Sequence, residues 1–512
     1  MLDRVKIFRR RQFVLGPEHI DYEGWKRLRV EDNYLLTVHP DLPITVVHEK
    51  ENKAILLGYA IDPYNPDLND EGILKRFISG PISIKTVSSG LQNLSGRFVL
   101  LIISPAGHWL FHDACALRQV QYCRDTNGAI WCATQAETLA EHLGFKYDEE
   151  VLSYRNTSAI YQTDKEEFWL INDRSPFQEI RNLLPNHYLD LQQGKTYRYW
   201  PEPNCIGTLS ADESIELSKP ILQNSIKAAA NRFDLKMGIS AGCDSRKSLA
   251  AVKDVKDKIY FFTHTPQVSN EVDMEIPAKL LPQLGIEHHK FDLQQMTDEF
   301  RRYYECSATW SRERRGHIAY TALQHFGTEA TILNSNISEY SQVWFWLPKS
   351  KINGEGLAIL KSLNHPFAIH ELQKWLDGAQ EACKKANMNI LVLFDIELRA
   401  RWVTAAIAEY DIAHETFIPY NNRHFFCLEL SVNERIRRGR RLDYPTRLIK
   451  NMWVDVLREP INPEKRVIGK IQEFILRSMI HKTITPWFPI VEYLRYLKLR
   501  RSFKKQVKEY EK

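Results

Sequence analysis

The run GISAGCDSRKSLAA, residues 238–251, gathers groups that could do chemistry together. Ser240 and Ser245 bring hydroxyls, Asp244 a carboxylate, Cys243 a thiol and Arg246 a guanidinium, while Ala241 and Gly242 are small enough for a close backbone approach. Upstream, Phe233, Leu235, Met237 and Ile239 alternate with other residues, which predicts a strand over 234–240. A helix is predicted over 245–254. A strand handing over to a helix through small residues makes an anion site, because turn N–H groups converge and the helix start adds about half a positive charge. A carboxylate beside phosphates is repulsive by itself, so Asp244 implies a Mg²⁺ bridging it to them. A plain helix cap formed by the same Ser and Asp is the competing explanation.

The elements around this run alternate. A helix-period segment, ESIELSKPILQNSIKAAANRF, precedes it. A strand over 258–265 (KIYFFTHT), a helix over 275–285 and the apolar segments IEHHKFDL and ATILNS follow it. That order predicts a parallel sheet covered on both faces. Residues 1 to about 200 read instead as β-rich, with hairpin signals at Pro105–Gly107, Asn127-Gly128 and Gly194. The polar, Pro-containing stretch 201–214 marks a domain boundary, and 366–510 reads as mostly helical.

Composition sets outer limits. The chain has 512 residues, room for two cores, with 44% hydrophobic and 26% charged residues as in ordinary globular proteins. A net charge of +5 is weak for this length and argues against a dedicated nucleic-acid binder. The eight cysteines are scattered without a C-x-x-C pair, which predicts reduced thiols and no zinc site. The first residues carry no apolar signal core and no run is long enough to span a membrane, so a cytoplasmic protein is expected.

SAGCDSR resembles the S-G-G-x-D-S pyrophosphate loop of the ATP pyrophosphatases, and most of the chain resembles their asparagine synthetase and β-lactam synthetase branch. LSGRF (94–98), FHD (111–113), CATQAETLAEHLG (132–144) and IRNLLPNHYLDLQQGKTYRYW (180–200) resemble the N-terminal glutaminase-fold domain. AEYDIAHETFIPYNNRHF (408–425) resembles the M-A-x-x-x-E-x-R-x-P-F-L-D segment, with Glu415, Pro419 and Tyr420 in register. The resemblance implies an α/β fold. It has an αββα class II glutaminase-like domain over 1–205, an adenine-nucleotide α-hydrolase-like domain with a helical C-terminal part over 206–490, and a basic tail over 491–512. It implies ATP and Mg²⁺ as cofactors, with Ser240 to Arg246 and His264 contacting ATP.

The departures matter as much. The family's glutaminase needs Cys as residue 2; here it is Leu2, and the next cysteine is Cys115. The N-terminal domain is therefore expected to be inactive, unless the true start lies elsewhere. In ILNSNISEYSQ (332–342), where the family has G-x-G-S-D-E, Ser335 takes the place of an acid or Tyr that assists the nucleophile. Ser338 replaces a metal-binding Asp, leaving Glu339 as the second Mg²⁺ ligand beside Asp244. Phe417 replaces an Arg. Lys465, in LREPINPEKR, aligns best with the lysine that holds the leaving pyrophosphate, and Lys450 second. Arg312, Arg314 and Arg315 are candidates for phosphate or an acidic substrate, or a solvated helix end.

The expected activity is AMP-forming ligation: a small-molecule, peptide or saccharide carboxylate is adenylated and passed to a nitrogen nucleophile. A degenerate nucleotide-binding scaffold and a tRNA-modifying enzyme with the same loop are the alternatives. The basic tail could touch membrane or nucleic acid, or be a surface helix.

Overall fold

The structure, a computed structural model, describes residues 4–157, 170–265, 271–342, 346–363, 365–438, 442–463, 493–494 and 496–501. In the first half the strands are β1 (Phe13–Gly16), β2 (Lys26–Glu31), β3 (Tyr34–Val38), β4 (Ile44–Glu49), β5 (Asn52–Ile61), β6 (Ser95–Ser104), β7 (Gly107–His112), β8 (Gln121–Arg124), β9 (Ile130–Ala133), β10 (Arg181–Asn182), β11 (His187–Asp190) and β12 (Lys195–Arg198). They form two antiparallel sheets, in the orders β10-β8-β9-β1-β3-β2 and β12-β11-β7-β6-β5-β4.

The two sheets face each other across one apolar layer. Phe13, Leu15, Leu36 and Val38 from one meet Leu57, Val99, Leu101 and Leu110 from the other. Helices α1 (Asp70–Ile78) and α2 (Ile84–Gln92) cover the second sheet's outer face through Ile73, Leu74, Val87 and Leu91. Helix α3 (Ala136–Leu143) covers the first sheet through Leu139 and Ala140 on Val14 and Trp131. This is an αββα sandwich. The hairpin expected at Asn127-Gly128 exists with a five-residue loop, because Asp125 Oδ1 accepts the N–H groups of Asn127 (2.8 Å) and Ala129 (2.9 Å) and draws the turn wider.

In the second half α4 (Ala211–Arg232) opens on a capping box in which Ser210 and Glu213 each accept the other's backbone N–H. Then come β13 (Leu235–Gly238), α5 (Cys243–Ala251), β14 (Ile259–His264), α6 (Glu271–Gln283), β15 (His288–Phe291), α7 (Glu313–Phe326) and β16 (Thr331–Leu333). After a helical excursion that includes α8 (Ala400–Ala408), β17 (Glu415–Phe417) completes the sheet, followed by α9 (Arg423–Leu430) and α10 (Asp443–Trp453). All four ladders are parallel and the strand order is β15-β14-β13-β16-β17. The chain moves outward from β13 through β14 and β15, then returns to its other side for β16 and β17. The crevice between β13 and β16 is therefore the topological switch point, where open parallel sheets bind ligands at the strands' carboxyl ends. Among the described residues no helix is long and apolar enough to cross a membrane.

The two halves share polar contacts as well as a common apolar cluster. Tyr59 donates to the Thr416 carbonyl (2.7 Å), and Asn421 Nδ2 donates to Gly96 O (2.7 Å) and Asp113 Oδ1 (2.8 Å). Arg97, of the LSGRF run, and Arg118 are buried against Asp411 and Glu415.

Candidate functional site

Strand β13 ends at the switch point because Leu235, Met237 and Ile239 bury one alternating face and the following small residues let the chain turn at once. Gly242 is the N-cap of α5. A Cβ there would lie 3.1 Å from Ser240 Oγ, so a larger residue would have to push that hydroxyl aside. Ser245 is buried and its hydroxyl faces the loop: it lies 3.1 Å from Ser240 Oγ and from the carbonyls of Ser240 and Gly242. It shapes the turn. The loop's backbone donors also have partners. Gly242 N–H meets Ser240 Oγ at 3.1 Å, and Ala241 N–H meets Asp273 Oδ1, from α6, at 3.0 Å. A carboxylate from the chain itself thus sits where the turn offers an anion its hydrogen bonds.

Asp244 lies in the first turn of α5, its side chain 45% exposed. Its Oδ1 accepts from Ser338 Oγ at 2.5 Å and meets Lys247 Nζ at 3.2 Å. Lys247 also donates to the Ser338 carbonyl (2.6 Å). Burial works against the charge of Lys247, yet Asp244 and its other acidic neighbours hold its affinity for a proton above the ordinary lysine value. Positions three apart on a helix share a face, so Asp244 and Lys247 act together. Arg246, two positions from Asp244, projects elsewhere: it is fully buried and donates to the carbonyls of Val456 (2.7 Å), Glu459 and Pro460. It anchors the C-terminal segment instead of presenting itself to a ligand. That segment returns to the loop, where Asn462 N–H donates to Ala241 O (3.0 Å). Lys465 follows three residues later and lies outside the described residues, as do Leu2 and most of the 491–512 tail.

The segment after β16 closes the other side. Ser335 Oγ lies 2.8 Å from Ser248 Oγ, which lies 3.0 Å from Tyr420 Oη, a chain of hydroxyls beside Lys247. Glu339 follows Ser338 and is half-buried. Behind these groups, burial pushes the Glu429 carboxyl up to about 7 despite Lys247 nearby, and Ser341 Oγ donates to it. Burial also raises Cys243 to about 11, leaving an inert thiol. His264 ends β14 between Phe262 and Phe291, its Nδ1 buried without a hydrogen-bond partner; burial and then His325 lower its pKa to about 4, so it is neutral at pH 7.

The arginine cluster at the start of α7 is largely drawn away from this site. Arg312 Nε donates to Glu409 (2.8 Å) and Arg315 lies over Trp402, 3.3 Å from Tyr410 Oη. Lys247, Asp273 and Asn462 are site residues that the sequence reading did not single out. Only Lys247 carried a local signal, its helical spacing from Asp244.

The donor set suits a Mg²⁺ completed by phosphate oxygens. Asp244 is a half-exposed carboxylate at the loop and Glu339 comes from the facing segment, and Mg²⁺ commonly takes one or two carboxylates plus substrate phosphates. Among the described residues no group of three or more His, Cys, Asp or Glu could close round a metal by itself.

No protein-family model matches the chain, and no curated protein matches it by sequence. Among solved structures it is similar to the NH3-dependent NAD synthetase of Campylobacter jejuni (15% identity, 39% of this chain and 96% of that one, TM-score 0.22). It is also similar to the glutamine phosphoribosylpyrophosphate amidotransferase of B. subtilis (11%, 66% and 72%, TM-score 0.24). A third is the glutamine-dependent NAD+ synthetase of Acinetobacter baumannii (10%, 60% and 73%, TM-score 0.20). At those TM-scores the likeness decides neither fold nor activity.

Proposed function

We propose that the chain is an ATP-dependent, AMP-forming amide ligase that adenylates a substrate carboxylate at the β13–α5 loop. The observation that carries this reading is the loop's position: small residues and a helix start at the switch point of a parallel sheet, with a half-exposed carboxylate and a buried lysine on one helix face. The substrate carboxylate attacks the α-phosphorus of ATP and pyrophosphate leaves. A nitrogen nucleophile then attacks the acyl carbon, AMP leaves, and the amine gives up a proton.

Lys247 supplies fixed positive charge beside the departing phosphates, and a preorganised cation there costs no reorganisation during the reaction. Turn N–H groups take up phosphate oxygens once Asp273 moves off Ala241. Asp244 and Glu339 are the residues that would hold Mg²⁺; when bound, it offsets charge on the phosphates. The Ser335–Ser248–Tyr420 hydroxyls orient the acceptor side, a serine being too weak a base at neutral pH to take the amine's proton unaided. His264, neutral between Phe262 and Phe291 at the carboxyl end of β14, is assigned to the adenine end of ATP. Lys465 is assigned to the leaving pyrophosphate: Lys465→Ala should lower kcat on the order of 10²-fold with little change in KM, and Lys450→Ala should be silent.

The domain over 1–205 is assigned no glutaminase chemistry. Burial raises the Cys115 and Cys132 thiols well above the ordinary value and Cys123 to about 12, which leaves no thiolate nucleophile among them. Nitrogen then comes from ammonia or an amine, and the purified protein should not hydrolyse glutamine.

A nucleotide-binding scaffold is the second reading, favoured by Asp273 on Ala241 N–H and by serines at 335 and 338. ATP–pyrophosphate exchange across a panel of carboxylates separates the two. Carboxylate-stimulated exchange supports the ligase; ATP binding without exchange for any carboxylate supports the scaffold.

A further inference from the structure

An open cleft of about 250 Å³ lies where the stretch joining the two halves runs along α9. None of the phosphate-loop residues line it. Its walls include Gln92, Glu202, His424 and two cysteines, Cys205 and Cys427. Cys205 belongs to the polar stretch 201–214 and is partly exposed. Cys427, in the middle of α9, is 7% exposed.

The backbone around the two thiols is held in place. Gly207 N–H donates to Ser431 Oγ (3.0 Å), Ser431 Oγ donates to the Cys427 carbonyl (2.7 Å), and Leu209 N–H donates to the Ser431 carbonyl (2.9 Å). On the other flank Asn204 N–H donates to Lys385 O (2.9 Å) and Ile206 N–H to Ala386 O (3.3 Å), at the end of the helix Pro366–Ala386. Residue 205 is thus clamped between the last turns of two helices. Across the cleft the Cys427 thiol hydrogen-bonds to the Cys205 sulfur.

The pair is asymmetric in the way that dithiol oxidation needs. The hydrogen bond from Cys427 holds the Cys205 thiol below its ordinary value, against burial. The same bond, together with burial, pushes Cys427 well above it. The thiolate is the nucleophile, so the more exposed Cys205 reacts first while Cys427 waits beside it as a thiol. Cys383 is close enough to feel Cys205, but burial raises it to about 12 and it does not line the cleft.

We infer that Cys205 and Cys427 are a peroxide-sensitive thiol pair that closes to a disulfide and fastens the joining stretch to α9. The Cys205 thiolate attacks one oxygen of a hydroperoxide. The O–O bond breaks, the second oxygen leaves as hydroxide or alkoxide and takes up a proton, and Cys205 becomes a sulfenic acid. Cys427 then attacks the sulfenic sulfur. The S–S bond forms, the S–O bond breaks, and the hydroxyl leaves as water with the Cys427 proton. The two thiols lose two electrons and the hydroperoxide takes them up. A dithiol reductant reverses the bridge by exchange.

The test needs neither ATP nor a carboxylate, so it succeeds or fails independently of the ligase reading. The reduced full chain is treated with hydrogen peroxide, alkylated at its remaining thiols and digested for peptide mass mapping. A linked Cys205–Cys427 peptide, lost again on treatment with dithiothreitol, is the expected product, and the oxidised chain should melt several degrees higher. In Cys427→Ser the bridge has no second sulfur, so Cys205 should accumulate as a sulfenic acid that dimedone captures; Cys427→Ala takes its place if that variant does not fold. Cys205→Ser should slow oxidation of Cys427 on the order of 10-fold or more, because the buried thiol holds little thiolate. Cys383→Ser should leave bridging unchanged. The inference is overturned by a folded wild type in which peroxide gives no linked peptide, by a bridge from Cys205 to Cys383 in its place, or by a Cys427 that oxidises equally fast in Cys205→Ser.

Discussion

The parallel sheet carries a cluster of charged groups at each end, and the two are built differently. At the amino ends of the strands, Glu415 opens β17 and, with Asp411, meets Arg97 (2.8 Å to Glu415), Arg118 (2.7 Å to Glu415) and Arg11. All five side chains are buried. At the carboxyl ends, Asp244 is half exposed, and its contacts are a serine hydroxyl and one lysine. The first cluster fastens the two halves together. The second leaves a half-exposed carboxylate, backed by the buried Lys247, at the end of the sheet where ligands bind. A site and a seam can therefore draw on the same residue types and differ in how completely each group is satisfied. Glu415 and Tyr420, only five positions apart, fall on opposite sides of this divide, because the three-residue strand β17 carries the chain about 10 Å from one end of the sheet to the other.

Breaking the seam should have the largest effect. Arg97→Met leaves Asp411 and Glu415 short of a partner in a buried setting, which typically costs about 3–5 kcal/mol; denaturant unfolding measures it. Burial pushes the Glu415 carboxyl up, but Arg118 and then Arg97 outweigh that and hold it well below the usual carboxylate range. Its contribution is thus present above the unfolded value of about 4 and is lost as pH falls further. Glu415→Gln should flatten that acid limb.

At the other end Asp244→Asn keeps the shape and a hydrogen-bonding group but removes the charge facing the buried Lys247, so unfolding free energy should fall by about 1–2 kcal/mol, less than at the seam. Mg²⁺-dependent pyrophosphate release from ATP should fall on the order of 10²-fold or more. Equal damage to fold and activity would make Asp244 a structural cap and merge the two clusters into one kind.

Glu429 sharpens the contrast through pH. Its carboxyl is raised from 4.5 to about 7 in the folded chain, so between those values the folded state holds a proton that the unfolded state has released. Stability from this group is full below about pH 4.5 and declines as pH rises through about 7, the reverse of Glu415. Glu429→Gln should therefore stabilise the chain at pH 8 relative to wild type, by about 1–3 kcal/mol, and remove the slope seen by thermal unfolding.

The smallest effect expected is at Asp273. Releasing Ala241 N–H by Asp273→Ala should tighten pyrophosphate binding about tenfold, roughly the worth of one hydrogen bond to a charged acceptor; calorimetric titration reads it. Weaker binding in this variant would mean that Asp273 helps to hold the ligand.

The sequence made the strand–loop–helix legible because its pattern switches from period two to helical spacing across small residues, and the paired apolar runs of the first half announced its hairpins. The helix expected over 245–254 begins two residues earlier, at Cys243, since Gly242 caps it. Side-chain directions were only partly legible. Asp244 and Arg246 read as one binding run, but residues two apart point about 200° apart round a helix, and Arg246 turns to the 456–460 carbonyls. Asp273 and Asn462 were invisible, because each reaches Ala241 from a distant part of the chain and neither has a local pattern. Glu415 fell in register with the family segment, while its buried arginine partners come from the other half of the chain.

The central claim is that the β13–α5 loop receives phosphates at its backbone. Amide hydrogen exchange with and without pyrophosphate and Mg²⁺ tests it most directly. Slowed exchange at Ala241, Gly242 and Cys243 in wild type, much reduced in Asp244→Asn, is the predicted result. Saturating pyrophosphate that leaves those three amides unchanged, or that protects them equally in Asp244→Asn, would contradict the account.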